Sequence, residues 1–158
     1  VYGGISVAIP HYLSKAIHAA DSESMSTSVL REAQDNDWVI MAAAVSDYKP
    51  VKTSLSKLKK QDTLSLELHK TLDILAQLGK DKKPGQILVG FAAETDELIT
   101  NAKKKLKAKN LDLIIANHLS VVEQDCTTAT AIDRHQTHEL AGTKFDVAHR
   151  ILDLMKQL

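Results

Sequence analysis

Residues 38–50 read WVIMAAAVSDYKP, and the fold turns on how that stretch is taken. Trp38 to Ala43 is an unbroken apolar run preceded by the turn-formers Asp35, Asn36 and Asp37. That pattern suits a central parallel strand covered on both faces. Ala42, Ala43 and Ala44 then keep the C-terminal end of the strand narrow, and a carboxylate, an aromatic and a cation follow at Asp47, Tyr48 and Lys49. In open α/β sheets, ligands bind outside the carboxyl ends of the strands, so this is where chemistry is expected. Three alanines also do no more than make room for a packed helix in many proteins, and residue size alone identifies no ligand.

Upstream, Met25, Val29, Leu30 and Ala33 recur at helical spacing behind a cap at Asp21 or Ser22, which gives one apolar face. An extended stretch from Ile5 to Ile9 and a short strand at Lys15 to His18 precede that helix. Val1 to Gly4 reads as the end of a strand whose earlier part is absent, so the chain is expected to start mid-fold, without its first βα unit.

Downstream, Lys49 to Lys60 carries five lysines and no acid, and Pro50 with its polar neighbours argues against continuous helix. Thr63 to Leu68 alternates polar and apolar, so it is expected as a half-solvated strand pairing away from the main sheet, with Leu64, Leu66 and Leu68 on one face. Residues 49–68 thus form a protruding arm. A helix is expected from Leu72 to Leu78, with Asp73 in its first turn and Gly79 as its stop. Ile87 to Ala93 reads as a second buried strand in which Gly90 permits close approach. Thr95 then caps a helix with Asp96 and Glu97 in its first turn and lysines in its last. Leu111 to Ala116 is a third strand ending at Asn117 and His118. A hairpin around Arg134 to Thr137 follows, then a last helix opened by a capping box at Thr143 and Asp146.

Composition bounds what such a chain does. At 158 residues one α/β domain spanning 1–158 is expected. Twenty basic and twenty acidic residues give zero formal net charge, which argues against wholesale nucleic-acid or membrane-surface binding. A single cysteine, Cys126, excludes an internal disulfide and fits a cytoplasmic protein. No apolar run approaches a membrane span. Lys103, Lys104, Lys105, Lys107 and Lys109 put five cations in seven residues. Lys105 and Lys109, four apart, share a helix face suited to the phosphates of a flexible polyphosphate, although a solvated helix face has the same composition. His135 and His138 lack a supporting carboxylate at ligand spacing, and no Walker A or GxGxxG pattern occurs.

Five segments taken together are more specific than any of these features. AAAVSDYKP at 42–50, KLKK at 57–60, KTLDIL at 70–75, VGFAAET at 89–95 and KNLDLIIAN at 109–117 resemble, in order and spacing, bacterial phosphopantothenate-cysteine ligase. The same family is called phosphopantothenoylcysteine synthetase, the second half of the bifunctional coenzyme A biosynthesis flavoprotein. The resemblance covers about Ile9 to Asn117 and, more loosely, the final helix; Leu72 stands where the family usually has proline.

The resemblance implies a Rossmann-like parallel sheet with helices on both faces, a dimerisation arm and a homodimeric assembly. It also implies activation of 4'-phosphopantothenate by CTP with Mg2+, through an acyl-cytidylate that L-cysteine then resolves. Carried over by position, Met41, Ala42, Ala43 and Asp47 line the nucleotide. Lys57 neutralises charge developing at the α-phosphate, which makes it the catalytic residue. Thr71, Leu72, Asp73, Ile74 and Phe91 border the nucleotide, with Lys105 and Lys109 on its phosphates. A competing reading keeps the sheet and the basic clusters but makes the chain an inactive or partial module that binds a nucleotide or phosphorylated ligand without turnover.

Overall fold

A computed structural model describes residues 1–3, 10–54, 56–60, 62–94, 97–118 and 126–158, with nothing taken from the side chains of Glu94 and His118. The extended stretch expected at Ile5 to Ile9 and the cap expected at Thr95 with Asp96 lie outside these residues. The chain forms two compact units: residues 1–29 with 43–73, and residues 30–42 with 74–158.

In the first unit, β1 (Tyr2–Gly3) pairs in parallel with β2 (His18–Ala19). Helix α1 (Ser22–Glu32) starts here because Asp21 is an effective N-cap: its Oδ1 accepts from the Ser24 N–H at 2.8 Å, and Ser24 Oγ accepts from the Asp21 N–H at 3.1 Å. Met25 is buried on the inner face of the helix, its methyl 3.0 Å from where a Cβ on Gly3 would stand. The arm pairs away from the main sheet, as its composition suggests. Its strands β4 (Tyr48–Pro50) and β5 (Leu68–Lys70) form their own antiparallel ladder. The expected strand at Thr63 to Leu68 is displaced, however, and only Leu68 enters β5. Leu64, Leu66 and Leu68 are all more than half exposed.

The second unit carries the main sheet, ordered β3–β6–β7–β8–β9. Strands β3 (Trp38–Met41), β6 (Ile87–Glu94) and β7 (Leu113–His118) run parallel, and the hairpin of β8 (Cys126–Asp133) and β9 (Thr137–Thr143) adds two antiparallel strands. The result is a mixed, mostly parallel-ordered α/β sheet built around the strands read as buried. One expectation fails among the described residues: there the Trp38 strand is the end strand of the sheet, and Trp38 and Ile40 are 39% and 43% exposed. A short apolar strand such as Trp38–Met41 satisfies an edge position with one covered face as well as it does a central one.

Successive strand residues face opposite ways, so the register separates two faces. Val89, Leu113, Ile115, Ala129, Ala131 and Leu140 form a core with Val147, Ile151 and Met155 of α4 (Lys144–Met155). On the other face, Gly90 lies beneath Leu75 of α2 (Ile74–Asp81), and a Cβ there would stand 2.7 Å from the Leu75 side chain and 2.9 Å from that of Leu111. Gly90 therefore makes room for the protein's own leucines rather than for a ligand. Helices thus cover both faces, and α3 (Leu98–Ala108) packs along β6, β7 and β8 with Ala102 and Leu106 buried.

Helix ends supply further corrections. Gly79 is not a stop; it lies within α2, which runs to Asp81. The helix begins at Ile74, so Leu72 and Asp73 precede it. Lys109 is the C-cap of α3 with non-helical backbone, so the expected helix face shared with Lys105 ends one residue short. The capping box at Thr143 forms as read, with Asp146 N–H donating to Thr143 Oγ1 at 3.1 Å and Thr143 N–H donating to Asp146 Oδ2 at 3.2 Å.

Candidate functional site

The residues singled out for the nucleotide fall into both units. In the second unit, Met41 ends β3 opposite Gly90, and Phe91 follows Gly90 in β6. Backbone pairing therefore brings Met41, Ala42 and Phe91 together towards the carboxyl end of two adjacent parallel strands, where this topology places ligands. Met41 is half-buried, Ala42 is exposed, and Phe91 is 39% exposed, so an apolar ring is offered to solvent beside small residues. Asn117, half-buried near the end of β7 and level with Ala93, extends the same edge. Ile74 is buried at the start of α2 and contributes packing.

In the first unit, Thr71 is the residue that organises the candidates. Its N–H donates to the Asp47 carbonyl at 2.9 Å, and its hydroxyl donates to the Ser46 carbonyl at 2.6 Å. Asp47 and Thr71 are therefore fixed to each other at the end of the β4–β5 ladder, with the Asp47 carboxylate exposed. Ala43, Leu72 and Asp73 are exposed beside them in sequence, and Lys57 lies in the irregular, fully exposed segment 56–60. The salt bridge from Lys49 to Glu23, at 2.7 Å, is exposed and adds little stability.

Lys105 and Lys109 occupy a different part of the sheet. Because α3 runs back antiparallel to β6, its C-terminal end lies at the amino edge of the parallel strands, where Leu111 N–H bonds to the Leu106 carbonyl and Asp112 N–H to the Leu88 carbonyl. An ion-pair network anchors this edge. Lys82 Nζ reaches Asp112 Oδ1 and Oδ2 at 2.8 and 2.9 Å and the Asn110 carbonyl at 3.0 Å, while Asp112 Oδ2 also accepts from the Leu88 N–H at 2.8 Å. Asn110 adopts the left-handed conformation (φ 51°), and its side chain donates to the Gly79 carbonyl at 2.9 Å.

At the same edge the structure shows residues that sequence reading missed. A cavity of about 540 Å³ is lined by Lys103, Lys107, Asn110, Arg134 and His135 above a floor of Leu106 and Leu111. Its signal in the sequence was the i, i+4 spacing of Lys103 and Lys107, submerged among five lysines. Asp133 is the acid in its wall. Burial would raise the Asp133 carboxyl, but N–H bonds from Gln136 and His135, both at 2.6 Å, together with His138, outweigh burial and hold it below the usual carboxylate range.

Among the described residues no three His, Cys, Asp or Glu side chains converge as a metal cage, and no helix is long and apolar enough to cross a membrane. A magnesium ion carried on a nucleotide triphosphate would need few protein ligands, and the exposed carboxylate of Asp47 would fit it.

Known proteins bear on this arrangement. The coenzyme A biosynthesis bifunctional protein CoaBC of Bacillus subtilis is 40% identical over 159 residues, covering 96% of this chain and 39% of the relative. A cysteine/cysteine sulfinic acid decarboxylase from an unknown prokaryotic organism is 49% identical over 102 residues, covering 64% of this chain and 28% of the relative. The chain thus spans about two fifths of the first relative's length and less of the second. A crystal structure of the C-terminal domain of CoaBC superposes with a TM-score of 0.81 at 31% identity, covering 98% of this chain and 70% of that one. A Cab2 mutant in complex with phosphopantothenate-cysteine shares the fold, with a TM-score of 0.68 at 18% identity over 86% of this chain and 50% of that one. The family model described as the DNA/pantothenate metabolism flavoprotein C-terminal domain matches residues 1–158, from end to end, and the chain belongs to that family.

Proposed function

We propose that this chain is the ligase portion of a coenzyme A biosynthesis enzyme, joining 4'-phosphopantothenate to L-cysteine at the expense of CTP. The observation that carries the reading is membership of the family over the whole of residues 1–158, with CoaBC among the relatives. The exposed Phe91 ring supports it, because it offers a base an apolar surface close to where β3 ends at Met41.

In this mechanism a carboxylate oxygen of 4'-phosphopantothenate attacks the α-phosphorus of CTP, and pyrophosphate leaves. The amine of cysteine then attacks the acyl carbonyl, CMP departs with the bonding electron pair, and the amine loses its proton. Such transfers depend on positioned charge more than on a covalent nucleophile. Lys57, a point charge on an exposed segment, neutralises the charge that develops at the α-phosphate. Asp47, with its backbone held by Thr71, orients the nucleotide, and Thr71, Leu72, Asp73 and Ile74 border it. Lys105 and Lys109, at the amino edge of the parallel strands, lie away from a nucleotide held beside Phe91 and take no part in holding its phosphates. Bound Mg2+ would supply charge neutralisation on the triphosphate, and the exposed Asp47 carboxylate would hold it. The arm of residues 49–68 carries exposed leucines that associate with a second copy, giving a cytoplasmic homodimer.

The test is pyrophosphate release by the purified chain in the presence of CTP, 4'-phosphopantothenate and cysteine, run beside a radiolabelled CTP-binding assay. Release that requires all of the substrates is expected. Binding of CTP without release would favour the partial binding module instead. Within the ligase reading, Lys57→Gln is expected to lower turnover about 10²- to 10³-fold while leaving CTP affinity nearly unchanged, since the cation acts on charge present only in the transition state. Near-normal turnover of that variant would remove Lys57 from the mechanism.

A further inference from the structure

We propose that the cavity at the amino edge of the sheet is a binding site for a small organic phosphate ester with an apolar body, separate from the nucleotide residues at the carboxyl edge. Its volume of about 540 Å³ falls in the range of small-molecule sites. Helical spacing places Lys103 and Lys107 one turn apart on the same face of α3, and both line the cavity. Neither makes an ion pair among the described residues. Lys105 and Lys109, the pair assigned to the nucleotide, are not part of its lining.

Across the cavity, the turn between β8 and β9 supplies Arg134 and His135. Arg134 is held in place by Nη2 donation to Asn110 Oδ1 at 3.0 Å, with Asp112 Oδ1 at 3.6 Å. A guanidinium has five donors, so that contact leaves others for a ligand. The acid in the wall, Asp133, stays ionised, but its Oδ1 accepts from two N–H groups of its own turn and its single charge is outnumbered by Lys103, Lys107 and Arg134.

The end of a helix disfavours anions through its exposed carbonyls, but here the last carbonyls are occupied. Those of Lys105, Leu106 and Lys107 accept from the N–H groups of Lys109, Leu111 and Asn110. The charge of the lining is therefore set by Lys103, Lys107 and the anchored Arg134 against the carboxylate of Asp133. The wall decides what accompanies the anion: hydrocarbon makes up a large share of the cavity surface, and the buried Leu106 and Leu111 close it from beneath. Inorganic phosphate would leave that hydrocarbon surface in contact with water, whereas an aryl or alkyl phosphate covers it.

Amide chemical shifts of the whole chain titrated with phenyl phosphate test the site, with benzyl alcohol and inorganic phosphate as parallel probes. Saturable shifts confined to residues 103–111 and 133–137 are expected with phenyl phosphate, weaker binding with inorganic phosphate, and none with benzyl alcohol. The double variant Lys103→Gln, Lys107→Gln, whose side chains are exposed, should keep the parent melting temperature and weaken binding by about tenfold or more. Three results would each overturn the proposal: no saturation at millimolar concentration, equal affinity for inorganic phosphate, or shifts centred on residues 39–42 and 89–92. Unchanged affinity in the double variant would do the same.

Discussion

Gly79 sits where no other residue fits. A Cβ built on it would lie 1.7 Å from the Lys109 carbonyl oxygen and 2.8 Å from its carbon, both backbone atoms that cannot swing aside. Alanine gains about 0.8–1.0 kcal/mol of helix propensity over glycine, but forcing a group into packed space costs about 1–3 kcal/mol, and overlap with backbone belongs at the upper end. Gly79→Ala is therefore expected to destabilise the chain by about 2 kcal/mol, read as a lower denaturation midpoint at unchanged slope. A more stable variant would mean that propensity outweighs the overlap. In the sequence this glycine resembled a helix stop, because the code for a C-terminal glycine and the code for a close approach are the same letter. Asp112 was equally opaque. Nothing in LDLIIA announces that its carboxylate will collect Lys82 and the Leu88 N–H from strands and helices far off in the chain. By contrast Asp21 and Asp146 were legible, since caps depend on residues three positions away.

The last helix turns one such cap into a pH dependence. Asp146 is held below its ordinary value first by the Thr143 hydroxyl, 2.6 Å away, and then by the Thr143 N–H. A depressed carboxylate contributes stability that is fully present above its unfolded value and is lost as pH falls through its folded one. Asp21, Asp133 and Asp153 are shifted in the same direction. The melting temperature should thus hold near neutrality and decline below about pH 4, the ordinary carboxylate range. Asp146→Asn should melt lower at neutral pH and show a shallower acid decline, the two curves converging in strong acid. Parallel curves would show that Asp146 does not contribute this dependence. Among the strands, Ile87 to Ala93 and Leu111 to Ala116 announced themselves because both of their faces are covered. The Trp38 run misled because an unbroken apolar run does not say how many neighbours its strand has. Residues 63–68 alternate like a strand, yet the ladder forms one step later, at Leu68–Lys70, where Tyr48–Pro50 provides a partner. Alternation gives a face but not a register.

The family and its α/β architecture were readable because five separated motifs must agree in order, and chance rarely supplies that. The assignment of nucleotide residues came from the same motifs, and pairing between β3 and β6 then brings Met41 and Phe91 to one edge. Oligomeric state has no such signature within one chain. It is argued instead from Leu64, Leu66 and Leu68, which are 59%, 61% and 51% exposed. Covering the exposed half of each would contribute about 0.8–1.5 kcal/mol, half of the value for a full burial, so the three together favour the proposed twofold dimer. Replacing Leu64 and Leu66 with aspartate should convert a sedimenting dimer into a folded monomer. A variant that keeps the parent's association state would sink the arm as the interface. The placement of Trp38 on the end strand has an optical consequence. It is the chain's one tryptophan, and the three tyrosines, Tyr2, Tyr12 and Tyr48, all precede residue 50, so essentially all absorbance at 280 nm and all indole emission arise from the first third of the chain. The tightly packed region from β6 to α4 holds Phe91 and Phe145 as its aromatics and is almost dark at those wavelengths. A fluorescence trace therefore follows the fraying of β3 from the sheet, whereas far-ultraviolet dichroism follows the helices, and the separation between the two curves measures how independently that border strand lets go.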